Sequence, residues 1–245
     1  MLSITTTDGV AEAIVATPPG GSGPGVLFFM DAFGLRPRIE EMAAEIAGWG
    51  YVVMAPNVFY RDGDVAEVAP QGDLLTPAGR EAFFAVAGPR IGHLTSELAV
   101  RDNDAYLAAL RSLPEVTPGP VGVVGFCMGT RLAMRAAGRH PDEVAACAGF
   151  HGGGLITDAP DSPHLELATA RAEFLFGNAD NDGSMTVQNA ADLDAALDAA
   201  HLTATNEIYE GAAHGYTMAD TSSWNEAAFV RAFANLRALY ARTLS

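Results

Sequence analysis

A thiol stands at the centre of the pentapeptide Gly125-Phe126-Cys127-Met128-Gly129, which is G-x-S-x-G with cysteine in the serine position. An apolar run, 121–125, precedes it, and a helical stretch, 130–137, follows. Such a strand–turn–helix context is what a nucleophile elbow needs, because a sharp, strained turn lifts the reactive side chain above a sheet. Glycine two residues to either side lets strand and helix approach closely. The turn also places Cys127 at a helix N-terminus, where free N–H groups and the helix dipole favour an anionic sulfur. Cys127 is therefore read as a nucleophile; the competing reading is an inert buried cysteine.

A thiol nucleophile needs a base, and the base needs an orienting acid. In this architecture they follow the nucleophile in the order acid, then histidine, each in a loop beyond a later strand. The apolar run 173–176 leads into Gly177-Asn178-Ala179-Asp180-Asn181-Asp182, and the run 205–209 leads into Glu210-Gly211-Ala212-Ala213-His214. His214 is expected to take and return the proton. Asp180 is expected to hold its other ring nitrogen, with Asp182 the substitute. His151 follows the strand after the elbow and precedes three glycines, so it comes too early for the histidine and is read as pocket wall. His93, His140, His164 and His201 sit in helical or surface-like contexts.

The elements that must position these groups alternate. Strands are expected at 13–16, 26–30, 51–55, 121–125, 145–150, 173–176 and 205–209, several of them continuous apolar runs as in strands covered on both faces. Ile39, Met42, Ala43, Ile46 and Trp49 form a helical stripe, as do Phe229, Phe233, Leu236 and Tyr240. Segments 93–113 and 187–200 read as further helices. Alternation of this kind predicts an α/β fold, with a mostly parallel, doubly wound sheet and helices on both faces. Its ligand site is expected at the carboxyl ends of the strands. The whole chain, 1–245, reads as one domain, with the irregular stretch 62–90 as a lid or cap.

Composition narrows the function classes. The chain of 245 residues carries a net charge of −16, which argues against nucleic acid or an anionic membrane surface as partner. All 14 of its Lys and Arg residues are arginine, which excludes a pyridoxal-phosphate Schiff base and a P-loop lysine. Two cysteines, Cys127 and Cys147, exclude a cysteine-rich zinc site or a disulfide framework, so no metal or cofactor is expected. No apolar run reaches 18 residues and no signal peptide is evident. A cytoplasmic, monomeric protein is expected.

On these motifs the chain resembles the dienelactone hydrolase family of the α/β-hydrolase fold. The likeness rests on Gly-Phe-Cys127-Met-Gly, the Gly-x-x-Asp180 loop, Ala-His214 and Met30-Asp31-Ala32-Phe33-Gly34-Leu35, and runs from about Gly9 to Leu239. It implies that Asp31, where the family carries glutamate, helps deprotonate the thiol. It also implies an oxyanion hole made by the N–H groups of Ala32 and Met128, the second in agreement with the rule that the residue after the nucleophile donates. Asn57-Val58-Phe59-Tyr60-Arg61 matches a family stretch in which an arginine binds the substrate carboxylate, so Tyr60 and Arg61 are implied substrate contacts. Two further departures are Thr130, in place of the commoner glycine, and Met218, in place of a second carboxylate-binding arginine.

The reading is a cysteine-dependent hydrolase of small activated esters or lactones, with simple alkyl esters and amides disfavoured. Its rivals are a binding protein with a vestigial site on the same scaffold, and a redox role in which Cys147 resolves Cys127.

Overall fold

A computed structural model describes residues 1–244. An eight-stranded sheet forms its centre: β1 (Leu2–Thr6), β2 (Gly9–Ala16), β3 (Gly25–Phe29), β4 (Val52–Pro56), β5 (Val121–Phe126), β6 (Val144–Phe150), β7 (Glu173–Ala179) and β8 (Ala204–Tyr209). The spatial order is β1-β2-β4-β3-β5-β6-β7-β8. Strand β2 runs antiparallel to both neighbours, and β4 through β8 pair in parallel. Buried side chains line every residue of β3, β4 and β5, which explains their unbroken apolar runs. The expected α/β class and parallel core are present. The amino-terminal hairpin strand β1, half exposed and short, had no such run to reveal it.

Among the described residues seven α-helices accompany the sheet: α1 (Pro37–Ala47), α2 (Val65–Val68), α3 (Pro77–His93), α4 (Ser96–Ser112), α5 (Gly129–Arg139), α6 (Val187–Ala199) and α7 (Glu226–Thr243). The expected helix 93–113 is present as α4, and its start moves to Ser96 because the Thr95 hydroxyl accepts from Leu98 N. One expectation needs correction. The stretch 62–90, expected to be irregular, is largely helical: the Thr76 hydroxyl accepts from Gly79 N, and Pro77 opens α3 with its φ already helical. Helix α3 packs through Phe33, Leu74, Phe83 and Ala87, a small apolar cluster apart from the main core.

The loops after β3, β5, β6, β7 and β8 leave the carboxyl ends of neighbouring parallel strands, so they gather at one edge of the sheet. Beneath them Phe126 stacks on Phe28 and Phe150, at centroid distances of 4.8 and 5.6 Å. That aromatic floor holds β5, and with it the turn that follows. No helix among the described residues is long and apolar enough to cross a membrane.

Candidate active site

Cys127 sits between β5 and α5 with φ of +54°, a conformation L residues rarely adopt. Its N–H donates to Phe150 O at 3.0 Å and its carbonyl accepts from Thr130 N at 3.2 Å, so neighbouring structure holds the strained turn. The glycines of the motif are required by contact. A Cβ on Gly125 would stand 2.2 Å from Gly129 O, and one on Gly129 would stand 2.5 Å from the carbonyls of Phe29 and Met30. Thr130 fits where a smaller residue is commoner because Gly149 and Gly152 leave space above it; a Cβ on Gly149 would meet the Thr130 methyl at 2.2 Å.

His214 Nε2 lies 3.0 Å from Cys127 Sγ, and His214 Nδ1 lies 2.5 Å from Asp182 Oδ2. Asp182 Oδ1 accepts from Ser184 N and Ser184 Oγ, at 2.8 and 2.6 Å. The order sulfur, imidazole, carboxylate is that of a proton relay with an oriented base. Burial disfavours charge on both partners, but their mutual bond reverses the balance: His214 is raised to about 10, by Asp182 and the cysteine sulfur, and Asp182 is lowered to about 2, by His214 and Ser184.

The acid on His214 is therefore Asp182, and the expectation of Asp180 is corrected. Strand β7 continues to Ala179, so Asp180 is the first residue of the loop; its carboxylate accepts from Gly211 N at 2.9 Å and braces the neighbouring loop. Asn181 then takes φ of +53° and turns the chain, which brings Asp182 to the histidine.

His151 lies wholly buried against the site, its ring edge-on to His214 and Tyr216 at 5.4 and 5.0 Å. Burial and the charge of His214 hold its pKa well below the ordinary value, so it is a neutral wall. Its Nε2 bonds Thr217 Oγ1 at 2.7 Å.

The N–H groups of Ala32 and Met128 donate to no protein acceptor among the described residues. Both residues are nearly buried, and Ala32 lines the same small cavity as Cys127. The cavity is only about 50 Å³, and Asp31, His151, His214 and Met218 also line it. A larger hollow of about 740 Å³ lies beside α2 and Asp220, but neither Cys127 nor His214 lines it. Chemistry, not size, identifies the site.

Two further expectations are corrected. Arg61 pairs bidentately with Asp102 at 2.7 and 2.8 Å and also meets Asp8, while Tyr60 Oη donates to Asp102 at 2.9 Å. Asp102 is 2% exposed on α4, and a carboxylate so buried demands a charged partner. Neither Arg61 nor Tyr60 lines the Cys127 cavity. Asp31 does line it, but its carboxylate accepts from Arg36 at 2.7 and 3.0 Å and from Phe33 N, and makes no hydrogen bond to Cys127 among the described residues.

Arg80 and Phe84, one helical turn apart on α3, close the cavity and were not anticipated. Their signal was present in the Thr76-Pro77 helix start, which puts positions 80 and 84 on one face.

The family model of the dienelactone hydrolase family matches residues 11–244. The chain belongs to that family. A Synechocystis protein provisionally named a carboxymethylenebutenolidase is 26% identical over 226 residues, covering 90% of this chain and 86% of its own. Carboxymethylenebutenolidase 1 of Cupriavidus pinatubonensis is 30% identical over 170 residues, covering 69% and 66%. A Klebsiella pneumoniae crystal structure, described provisionally as a dienelactone hydrolase, superposes with a TM-score of 0.83 at 22% identity, covering 98% of this chain and 96% of that one. That likeness shows the shared α/β-hydrolase fold, as the strand order does.

Proposed function

We propose that this member of the dienelactone hydrolase family hydrolyses small activated esters or lactones through Cys127. The sulfur attacks the carbonyl carbon, and the N–H groups of Ala32 and Met128 receive the oxygen as it gains charge. His214 already carries the proton as an imidazolium beside the sulfur and gives it to the departing oxygen, while Asp182 orients and stabilises the imidazolium. Water, activated by the same histidine, then cleaves the thioester and frees the thiol. The observation that carries this reading is the continuous contact Cys127–His214–Asp182 on a strained elbow. Both cysteines are unpaired and Cys147 is wholly buried in β6, which leaves Cys127 without an accessible resolving thiol. We read the protein as a cytoplasmic enzyme that works without a cofactor.

The substrate class follows from Arg80. Its Nη1 lies 3.3 and 3.4 Å from the hydroxyls of Ser222 and Ser223, and no carboxylate pairs with it among the described residues. A guanidinium with only neutral partners at the mouth of the cavity suits a substrate carboxylate. Arg36, beside Met218, is already neutralised by Asp31 and Asp220. The cavity is too small for a lactone as it stands. Phe84 is 40% exposed and Arg80 is half-buried, so rotation of these side chains on α3 would open a path.

A panel of enol lactones and aryl esters, with and without a free carboxylate, tests this. In Arg80→Met the carboxylated substrates are expected to lose about ten- to hundredfold in kcat/KM relative to neutral analogues, the worth of one charge-assisted bond. Arg61→Met is expected to leave that ratio unchanged. An unaltered ratio in Arg80→Met removes the acidic-substrate reading.

The pH profile is a second check. His214 must hold a proton to give to the leaving group, so turnover, corrected for background hydrolysis, is expected to fall as pH rises through about 10. Asp182 raises the His214 pKa, so Asp182→Asn should move that alkaline limb to lower pH. A limb at the same pH in the variant would separate it from His214.

A further inference from the structure

The three glycines that follow His151 run directly against the loop that carries the acid. His151 takes φ of +40° at the end of β6 and Gly154 takes φ of +64°, so the chain turns sharply twice within four residues. Between those turns Gly153 lies over Ser184. A Cβ on Gly153 would stand 2.5 Å from Ser184 Oγ and 3.0 Å from Ser184 Cβ, which leaves no room for any larger residue. Gly154 N then donates to Ser184 O at 2.8 Å. Ser184 is thus held from two sides by the loop after β6, although it belongs to the loop after β7.

Asp182 has little else to fix it. Its neighbours Asn181 and Gly183 are exposed, and a Cβ on Gly183 would meet nothing within 4 Å. Yet the Asp182 side chain is 5% exposed and meets His214 Nδ1 at 2.5 Å. Ser184 supplies the constraint: its N and Oγ both donate to Asp182 Oδ1, at 2.8 and 2.6 Å, which leaves Oδ2 for the imidazole. We infer that Ser184, seated on Gly153 and Gly154, is a positioning residue of the reaction, which holds the Asp182 carboxylate against His214 Nδ1. The loop after β6 thereby sets the acid carried by the loop after β7. This deepens the proposed mechanism and rests on the parts it gives to Asp182 and His214.

A hydroxyl on Asp182 can act in two ways, and they move the alkaline limb of turnover in opposite directions. If Ser184 only drew charge from the carboxylate, removing it would strengthen Asp182's hold on the His214 proton and raise the limb. If Ser184 positions the carboxylate, removing it lets Asp182 swing away and lowers the limb. The other ionisable groups facing His214 are Cys127, His151, which burial keeps neutral, and Arg80 across the cavity, and all three are unaltered by the change. In Ser184→Ala the limb for phenyl acetate is expected at lower pH than the parent's, with kcat down about three- to tenfold and KM changed less than about twofold. The loss is smaller than in Asp182→Asn because Ser184 N still donates. Ser184→Thr keeps the hydroxyl and should recover most of both. Gly153→Ala pushes Ser184 from its seat and should also lower the limb; in the Ser184→Ala background, where the closest contact is gone, it should cost less kcat than in the parent. A limb unmoved or raised in Ser184→Ala overturns the inference, and so does an equal cost of Gly153→Ala in both backgrounds. Ser184 is exposed, so Ser184→Ala decides the matter alone if Gly153→Ala fails to fold. Failure of the underlying reading looks different: Asp182→Asn would itself leave kcat and the limb where the parent has them, and the part given to Ser184 would fall with it.

Discussion

Cys127→Ala is expected to lower ester or lactone turnover at least about a thousandfold, to near the uncatalysed rate, with the fold intact. Three features make the effect large and local. The sulfur is the atom 3.0 Å from His214 Nε2, so its removal deletes the bond-forming step and leaves the base nothing to activate. The strained backbone at residue 127 is held by Phe150 O and Thr130 N through main-chain atoms, which alanine retains. Alanine also keeps the Cβ, so the positive φ costs it about what it costs cysteine. Thermal unfolding of the variant should therefore stay within a few degrees of the parent. Cys147→Ala is the matching control. Burial pushes that thiol's pKa up and shuts it away in β6, so turnover should not change and a thiol-directed alkylating agent should label Cys127 alone. Cys127→Ala activity above about a tenth of the parent would take the nucleophile's role from Cys127 and revive the binding-protein reading.

Asp182→Asn is expected to cost about a hundred- to ten-thousandfold in kcat, and Asp180→Asn far less than tenfold. The two carboxylates are separated by a single residue, so the contrast tests geometry rather than local charge. Asp182 meets His214 Nδ1 at 2.5 Å and is itself fixed by Ser184 N and Oγ. An amide there keeps the shape but cannot balance the charge of the imidazolium, and it can hold the ring in the wrong tautomer. Asp180 instead receives Gly211 N, so its loss loosens a brace between two loops. Steady-state kinetics on one activated ester measures both. If Asp180→Asn proves the more damaging, the relay runs through a different arrangement of the 180–184 loop from the one described.

Much of this was legible without coordinates because it is local. The elbow needs a strand, a turn and a helix within a dozen residues, and Gly125, Cys127 and Gly129 each answer to a contact made inside that span or directly beneath it. Strands covered on both faces announce themselves as apolar runs, and their alternation with helices gives a parallel sheet whose carboxyl edge must hold the loops. The same logic fails where a strand stops being apolar. Gly177, Asn178 and Ala179 still pair with β8, so β7 outlasts its apolar run by three residues, and counting from the run's end misjudged which aspartate follows the turn.

The sequence by itself determined the nucleophile's setting, the histidine loop and the side of the sheet on which they meet, because bond geometry and periodicity act over a few residues. Which charges pair was decided only by the tertiary structure. Arg61 went to Asp102, 41 residues away, because a carboxylate buried in α4 needs a cation. Arg36 went to Asp31 and Asp220, which joins two loops 184 residues apart. Arg80 was left to face the cavity with hydroxyl partners alone. With 14 arginines and 30 carboxylates the chain admits many pairings of equal chemistry, and ion pairing is steep in distance and burial, so the folded positions of the side chains choose among them.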